Sequence, residues 1–215
     1  MVMTEETHRI LIVGRSQGVL VDSVRMLRDR GYAANASNQF DTLLDDYDLR
    51  EVDLVIFGGM VPPTTKDHLA TRIRQINSQA HFLQGLAGIA PLLVAQVEEH
   101  FSGAVSGVTY DPNARSFRLA LADAASVTLH GLWATFVPPD PVAQTAVAYD
   151  GELAAGTHEI AVPEDVPRQG SFAAMRIGGR TSTFQLGEMP QSVTRAAATG
   201  SLPPPEPLTT RFPWE

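Results

Sequence analysis

The first residues with a chemical use are two glycines at the end of an apolar run. In the stretch ILIVGRSQG, Gly14 follows the four apolar residues and Gly18 comes four positions later, with Arg15 and Ser16 between them. A phosphate-binding turn needs glycine because its backbone must bend sharply and bring N–H groups close to the phosphate. The spacing therefore predicts a nucleotide- or phosphate-binding turn. The alternative interpretation is a plain strand-to-helix turn.

A second glycine pair, Gly58 and Gly59, ends the apolar stretch VDLVIFGG. Ligands of open parallel sheets bind beyond the carboxyl ends of the strands. We therefore expect any pocket to be framed by residues 14–18 on one side and 58–60 on the other.

The stretch VGRSQGVL resembles the first turn of the short-chain dehydrogenases, whose pattern is Gly, three residues, Gly, one residue, Gly. Gly14 and Gly18 match the first two glycines, and Leu20 replaces the third, which normally lets the helix pack close to the strand. The resemblance implies NADP or NAD as cofactor. Arg15 lies where NADP-preferring members carry a basic residue, whereas the second predicted strand ends in NASN, with no acidic residue for the ribose of NAD.

The catalytic signature of that family is absent from this sequence. It pairs a tyrosine with a lysine four residues later, because the lysine lowers the tyrosine pKa. The only lysine is Lys66, and the four tyrosines are followed at that distance by Ala36, Glu51, Ala114 and Leu153. The prediction leans away from an enzyme, and we name no catalytic residue.

A receiver domain is the other comparison, because it has similar length and the same alternation of strands and helices. Receivers need acidic residues after the first strand to hold magnesium and an aspartate after the third strand to accept phosphate. The corresponding stretches here are GRS and FGG. With that topology, the domain would be a receiver without phosphorylation chemistry.

Composition narrows the classes of partner. The formal net charge of −8 and the pI near 5.2 disfavour nucleic acid and anionic membranes, which need a concentrated basic surface. There is no cysteine, and the six histidines lack metal-ligand spacing, so we predict no disulfide and no metal site. The polar, acidic start MVMTEETHR predicts neither a signal peptide nor a membrane span, and we expect a cytoplasmic protein.

Hydrophobic patterns predict an α/β domain over residues 1–104, a Rossmann-like parallel sheet of four or five strands. The run RILIVG indicates a buried first strand, and Leu20, Val24 and Leu27 form one stripe of the following helix. Leu69, Ile73 and Ile76 form the stripe of a later helix.

Past Gly103, short alternating runs between turn residues predict an antiparallel β-sandwich over residues 105–195. Asp150-Gly151 and Gly178-Gly179 are the expected tight turns. The stretch YDGELAAGTHEIAVP resembles bacterial Ig-like or fibronectin-like sandwiches, which implies a binding or spacing role. Residues 196–215 form a proline-rich tail that we expect to be extended or disordered, with Phe212 and Trp214 as docking aromatics.

The sequence thus predicts a non-enzymatic two-domain binding or regulatory protein with a degenerate nucleotide-binding-type α/β domain. One alternative is an NADP-dependent short-chain-type reductase that lacks the usual Tyr/Lys pair. A second alternative is a structural module that forms a homo-oligomer through the sandwich or the tail.

Overall fold

The computed structural model describes residues 7–137, 140–189 and 205–208. These residues form two compact units, one with residues 7–90 and 205–208, the other with residues 91–137 and 140–189. Phe212 and Trp214 lie outside the described residues.

The first unit is built on a four-stranded parallel sheet with the order β2-β1-β3-β4. The strands are β1 (Arg9–Val13), β2 (Ala33–Ser37), β3 (Leu54–Phe57) and β4 (His81–Gln84). The helices are α1 (Gln17–Arg28), α2 (Leu43–Asp46) and α3 (Pro63–Ile76), with a 3₁₀ turn at Leu49–Glu51. The predicted parallel α/β sheet is confirmed.

The hydrophobic stripes explain how the helices cover this sheet. Leu11 and Val13 of β1 pack in one cluster with Leu69 and Ile73 of α3. On α1 the predicted stripe is buried, and Leu27 is fully inaccessible. Ile76 departs from its predicted stripe, since it is 45% exposed at the last residue of α3.

The strand order defines where a ligand would bind. In the dinucleotide-binding order 3-2-1-4-5-6, β1 lies between β2 and β4, whereas the doubly wound order 2-1-3-4-5 places it between β2 and β3. The observed order follows the second arrangement through its four strands. Its topological switch point, where ligands of such sheets bind, therefore lies between the carboxyl ends of β1 and β3.

The second unit contains α4 from its second residue onward and seven antiparallel strands in two sheets. Helix α4 (Ala90–Ser102) contributes Glu99, whose carboxylate accepts hydrogen bonds from the backbone N–H and the hydroxyl of Thr183 at 3.0 and 2.7 Å. The predicted domain boundary near residue 104 stays a prediction.

One sheet of this unit has the order β11-β10-β7-β8 and the other the order β5-β6-β9. Side chains of both sheets, among them Phe117, Leu129 and Met175, share one core, against which the half-buried Trp133 packs. This confirms the predicted two-sheet antiparallel architecture. The strands are β5 (Val108–Asp111), β6 (Ser116–Leu121), β7 (Ala125–Val137), β8 (Asp140–Leu153), β9 (Gly156–Ala161), β10 (Phe172–Ile177) and β11 (Arg180–Gln185).

The two predicted tight turns of this unit have different outcomes. Gly178 and Gly179 form the turn between β10 and β11, with φ of 54° and 93°. The turn predicted at Asp150 and Gly151 is wrong, because both residues lie inside β8 and pair with β7. The partner strand is 13 residues long, so ladder pairing continues through a dipeptide that favours turns.

Candidate ligand site at the carboxyl ends of the parallel strands

The loop after β1 is short and held by backbone hydrogen bonds. The buried Gly14 donates its N–H to the carbonyl of Ser37 at 3.1 Å. Ser16 is the N-cap of α1, and its carbonyl accepts the N–H of Leu20 at 3.1 Å. Gly18 is the second residue of the helix, so it lies in the first turn of α1. Residues 15–18 are all half-buried.

Gly58 lies against the same loop. Its N–H donates to the carbonyl of Val13 at 2.7 Å, and a methyl group added to Gly58 would lie 3.4 Å from the Cα of Gly14. The next residue, Gly59, is exposed, and a methyl group there would have no atom within 4 Å. The structure thus brings the two predicted glycine stretches together. We call residues 14–18 and 58–59 the glycine edge.

Leu20, which replaces the third glycine of the dehydrogenase pattern, points back onto the loop. It is 2% exposed, and a methyl group added to Gly14 would lie 3.2 Å from its Cδ2 atom. The leucine therefore fills space over Gly14, and packing against Leu20 is one reason why position 14 is glycine.

Lys66 and Gln84 form a second feature of this end of the sheet, which the sequence analysis did not assign to it. Gln84 ends β4 and donates its side-chain amide to the carbonyl oxygens of Phe57 and Gly85 at 2.9 and 3.0 Å. Its Oε1 atom accepts a hydrogen bond from Lys66 Nζ at 2.7 Å. Gln84 thereby holds Lys66, the only lysine in the sequence, near the carboxyl end of β3, which Gly58 follows.

The electrostatic character of this edge is basic. The first turns of α1 and α3 carry no acidic residue, so no side chain of the first turn neutralises the positive end of either helix dipole. The loops GRS and GGMV contain no carboxylate. Partial burial lowers the pKa of Lys66 from its ordinary 10.5, because desolvation penalises the charged amine.

The carboxyl end of β2 carries two side-chain amides that the sequence analysis also left without a role. Asn38 Nδ2 donates to the carbonyl of Glu206 at 2.6 Å, and Gln39 Nε2 donates to that of Pro205 at 3.2 Å. Residues 205–208 therefore contact the α/β unit at the end of β2.

Within the described part of the chain, no cluster of three or more histidine, aspartate or glutamate side chains has metal-binding geometry. None of the helices in the same ranges combines the length and apolar character that a bilayer crossing requires.

Similarity to known proteins does not assign a function to this chain, so its function is inferred from the fold and the glycine edge. No protein-family model matches the chain, and no curated protein matches it.

Proposed function

We propose that the chain is a non-enzymatic two-domain binding or regulatory protein whose α/β unit takes a phosphate-bearing small molecule at the glycine edge. The site is a degenerate nucleotide-type site, formed by Gly14, Arg15, Ser16 and Gly18 after β1 and by Gly58 and Gly59 after β3.

The observation that carries the proposal is the lack of any local reason for glycine at positions 58 and 59. Neither residue is among the glycines with positive φ. A methyl group at Gly58 would make ordinary van der Waals contacts, and one at Gly59 would meet nothing. Glycine at a strand end, where neither backbone nor packing demands it, keeps room for close approach of a ligand to the backbone.

The cations near the strand ends support an anionic ligand. Arg15 directly follows Gly14 and is half-buried, and Lys66 is held by Gln84 beside β3. Backbone N–H groups at the start of α1 add partial positive charge. Together these groups suit a phosphate, and NADP or NAD are two ligands that contain one.

The residues of the two loops support binding without catalysis. Neither loop has the carboxylates that receiver phosphorylation requires, and the side-chain partner of Lys66 is Gln84 instead of a tyrosine. The strand order gives no support to a short-chain-type reductase, whose fold has β1 between β2 and β4.

A thermal-shift screen of the full chain tests this proposal. The panel is inorganic phosphate, AMP, ATP, NAD, NADH, NADP, NADPH and a cyclic dinucleotide. A ligand at a hundredfold excess over Kd stabilises the folded state by about 2.7 kcal/mol, which raises Tm by at least about 5 °C. We expect at least one panel member to give such a shift. Flat curves throughout would contradict the proposal, and NADPH oxidation with a carbonyl substrate would favour the reductase.

The edge strand β8 favours a second candidate function, which is self-association. Among the described strands β8 pairs only with β7, and it exposes 44% of Val142 and 61% of Val147. Its middle stretch, residues 142–149, contains no charged residue and no proline, although such residues commonly protect edge strands. These features suit antiparallel pairing of β8 between two copies of the chain.

Sedimentation velocity tests the self-association. A dimer would have twice the chain mass of 23.2 kDa, and Val147→Lys should return it to the monomer because the charge would be buried in the new pairing. Thr157→Lys, at an exposed position of β9, is the matched control. A single monomeric mass at all concentrations would contradict this second function.

A further inference from the structure

The end of β2 holds a proline-containing segment by its main chain. Asn38 and Gln39, which we call the amide pair, donate to two successive carbonyl oxygens, those of Glu206 and Pro205. The receiving residues belong to residues 205–208, sequence PEPL, which we call the tail segment.

The amide pair is preorganised for this contact. Asn38 is 2% exposed, and its Oδ1 atom accepts a hydrogen bond from Gln39 Nε2 at 3.0 Å. The Gln39 N–H donates to Ser37 Oγ at 3.1 Å, which fixes the turn after β2. The donors therefore point in a set direction, and little side-chain entropy is lost when they engage carbonyl oxygens.

The chemistry of the tail segment matches these donors. Proline has no N–H and its φ is restricted, so a proline-rich segment presents carbonyl acceptors on a stiff, extended backbone. The side-chain amide N–H groups of Asn38 and Gln39 can donate to these carbonyl acceptors. Leu208 is half-buried in the same segment, whereas the Glu206 side chain is exposed.

The contact lies next to the glycine edge. Ser37, whose carbonyl accepts the N–H of Gly14, directly precedes Asn38. A segment docked on the amide pair therefore contacts the turn after β2. The residue before this turn, Ser37, is hydrogen-bonded to the loop after β1.

We propose that the amide pair is a recognition site for an extended proline-containing segment, and that its occupant is the tail segment of the same chain. This inference does not depend on a ligand at the glycine edge, so the thermal-shift screen and the test below can fail separately.

A nitroxide label on the tail segment tests the proposal in the full chain. The chain contains no cysteine, so Glu206→Cys gives one labelling site, at a side chain that points to solvent. The electron paramagnetic resonance spectrum should report a restricted label in this protein. Adding Asn38→Ala and Gln39→Ala should lower the docked-to-free ratio by roughly fivefold for each hydrogen bond lost. Asn113→Ala, an exposed amide in the turn before β6, should leave the spectrum unchanged.

A second pair of substitutions avoids any effect on folding of the α/β unit. Pro205→Gly and Pro207→Gly leave the amide pair intact but loosen the free tail, so each should lower the docked-to-free ratio about two- to fivefold. If the label on Glu206→Cys is as mobile with an intact amide pair as it is with Asn38→Ala and Gln39→Ala, the proposal is overturned. A restricted label that the variants do not release also overturns it. Release on simple dilution would assign the occupant to a second copy and overturn the assignment to the same chain.

Discussion

Packing requires glycine at two positions of the second unit but not at Gly59, which follows β3 in the first unit. In the second unit, which we call the β unit, a methyl group on Gly187 would overlap the carbonyl oxygen of Arg168, and one on Gly131 would lie 2.5 Å from Val166 Cγ2. In the α/β unit, Gly59 has no atom within 4 Å of such a methyl group. Packing thus explains glycine at positions 131 and 187 but leaves Gly59, after the carboxyl end of β3, unexplained. The comparison teaches that a glycine-rich stretch points to ligand binding only where the fold itself does not require glycine.

The largest effect should come from Gly187→Ala. The new methyl group would collide with backbone, which has no alternative rotamer, so we expect about 3 kcal/mol of lost stability. Urea denaturation followed by fluorescence and circular dichroism measures it. Gly59→Ala is the matched control and should stay within about 0.5 kcal/mol. Equal losses of stability in both variants would contradict the distinction between Gly187 and Gly59.

Gly131→Ala should have a smaller effect, which a second substitution can relieve. The methyl group would press on a side chain that is fully buried, and we expect a loss of about 1–3 kcal/mol. In a Val166→Ala background the space is open, so the same change should cost less than about 1 kcal/mol. A double-mutant cycle by urea denaturation gives the coupling energy, and additive effects would show that Val166 is not the reason for this glycine.

Lys66 provides a titration test in the α/β unit. It is the only lysine in the chain, so reductive ¹³C-methylation gives one side-chain lysine signal for NMR. In the free protein its pKa should lie below the ordinary 10.5, because burial disfavours the charged amine. A bound phosphate should raise the pKa, since a nearby anion stabilises the charged form. If saturating phosphate leaves the titration unchanged, Lys66 does not belong to the site.

The smallest expected effect is a pKa change in the exposed pair of Asp48 and Arg50, which lies outside the glycine edge. A hydrogen bond from the Arg50 guanidinium lowers the pKa of Asp48 to about 2 from 3.8. Any stability from this pair is therefore complete above pH 3.8 and is lost as the pH falls through about 2. Arg50→Ala should let the pKa rise toward 3.8, as carboxyl ¹³C NMR would measure. An unchanged pKa would assign the shift to another cause.

Local sequence patterns predict individual strands and helices of this fold. The run ILIV predicts β1 because four successive apolar side chains suit a strand covered on both faces. At Asp150 and Gly151 the local turn preference is wrong, since the long ladder between β7 and β8 overrides it.

The site is only partly visible in the sequence. Gly14 and Gly58 stand out as residues that follow apolar runs, and parallel strand pairing brings them together. The bond between Lys66 and Gln84, and that between Asn38 and Glu206, depend on tertiary packing. No local pattern marks the latter pair, because 168 positions separate the two residues.

The most direct test of the glycine edge is calorimetric titration of three proteins with AMP, NADP and inorganic phosphate. These are the parent chain, Gly59→Val, and Gln79→Val, which changes an exposed residue before β4, at the opposite end of the sheet. We predict that the parent and Gln79→Val bind at least one of the three with equal affinity. Gly59→Val should keep the parent's Tm without ligand and lose at least tenfold in affinity, about 1.4 kcal/mol. Equal affinity in all three proteins, or no binding to the parent, would contradict a ligand site at the glycine edge.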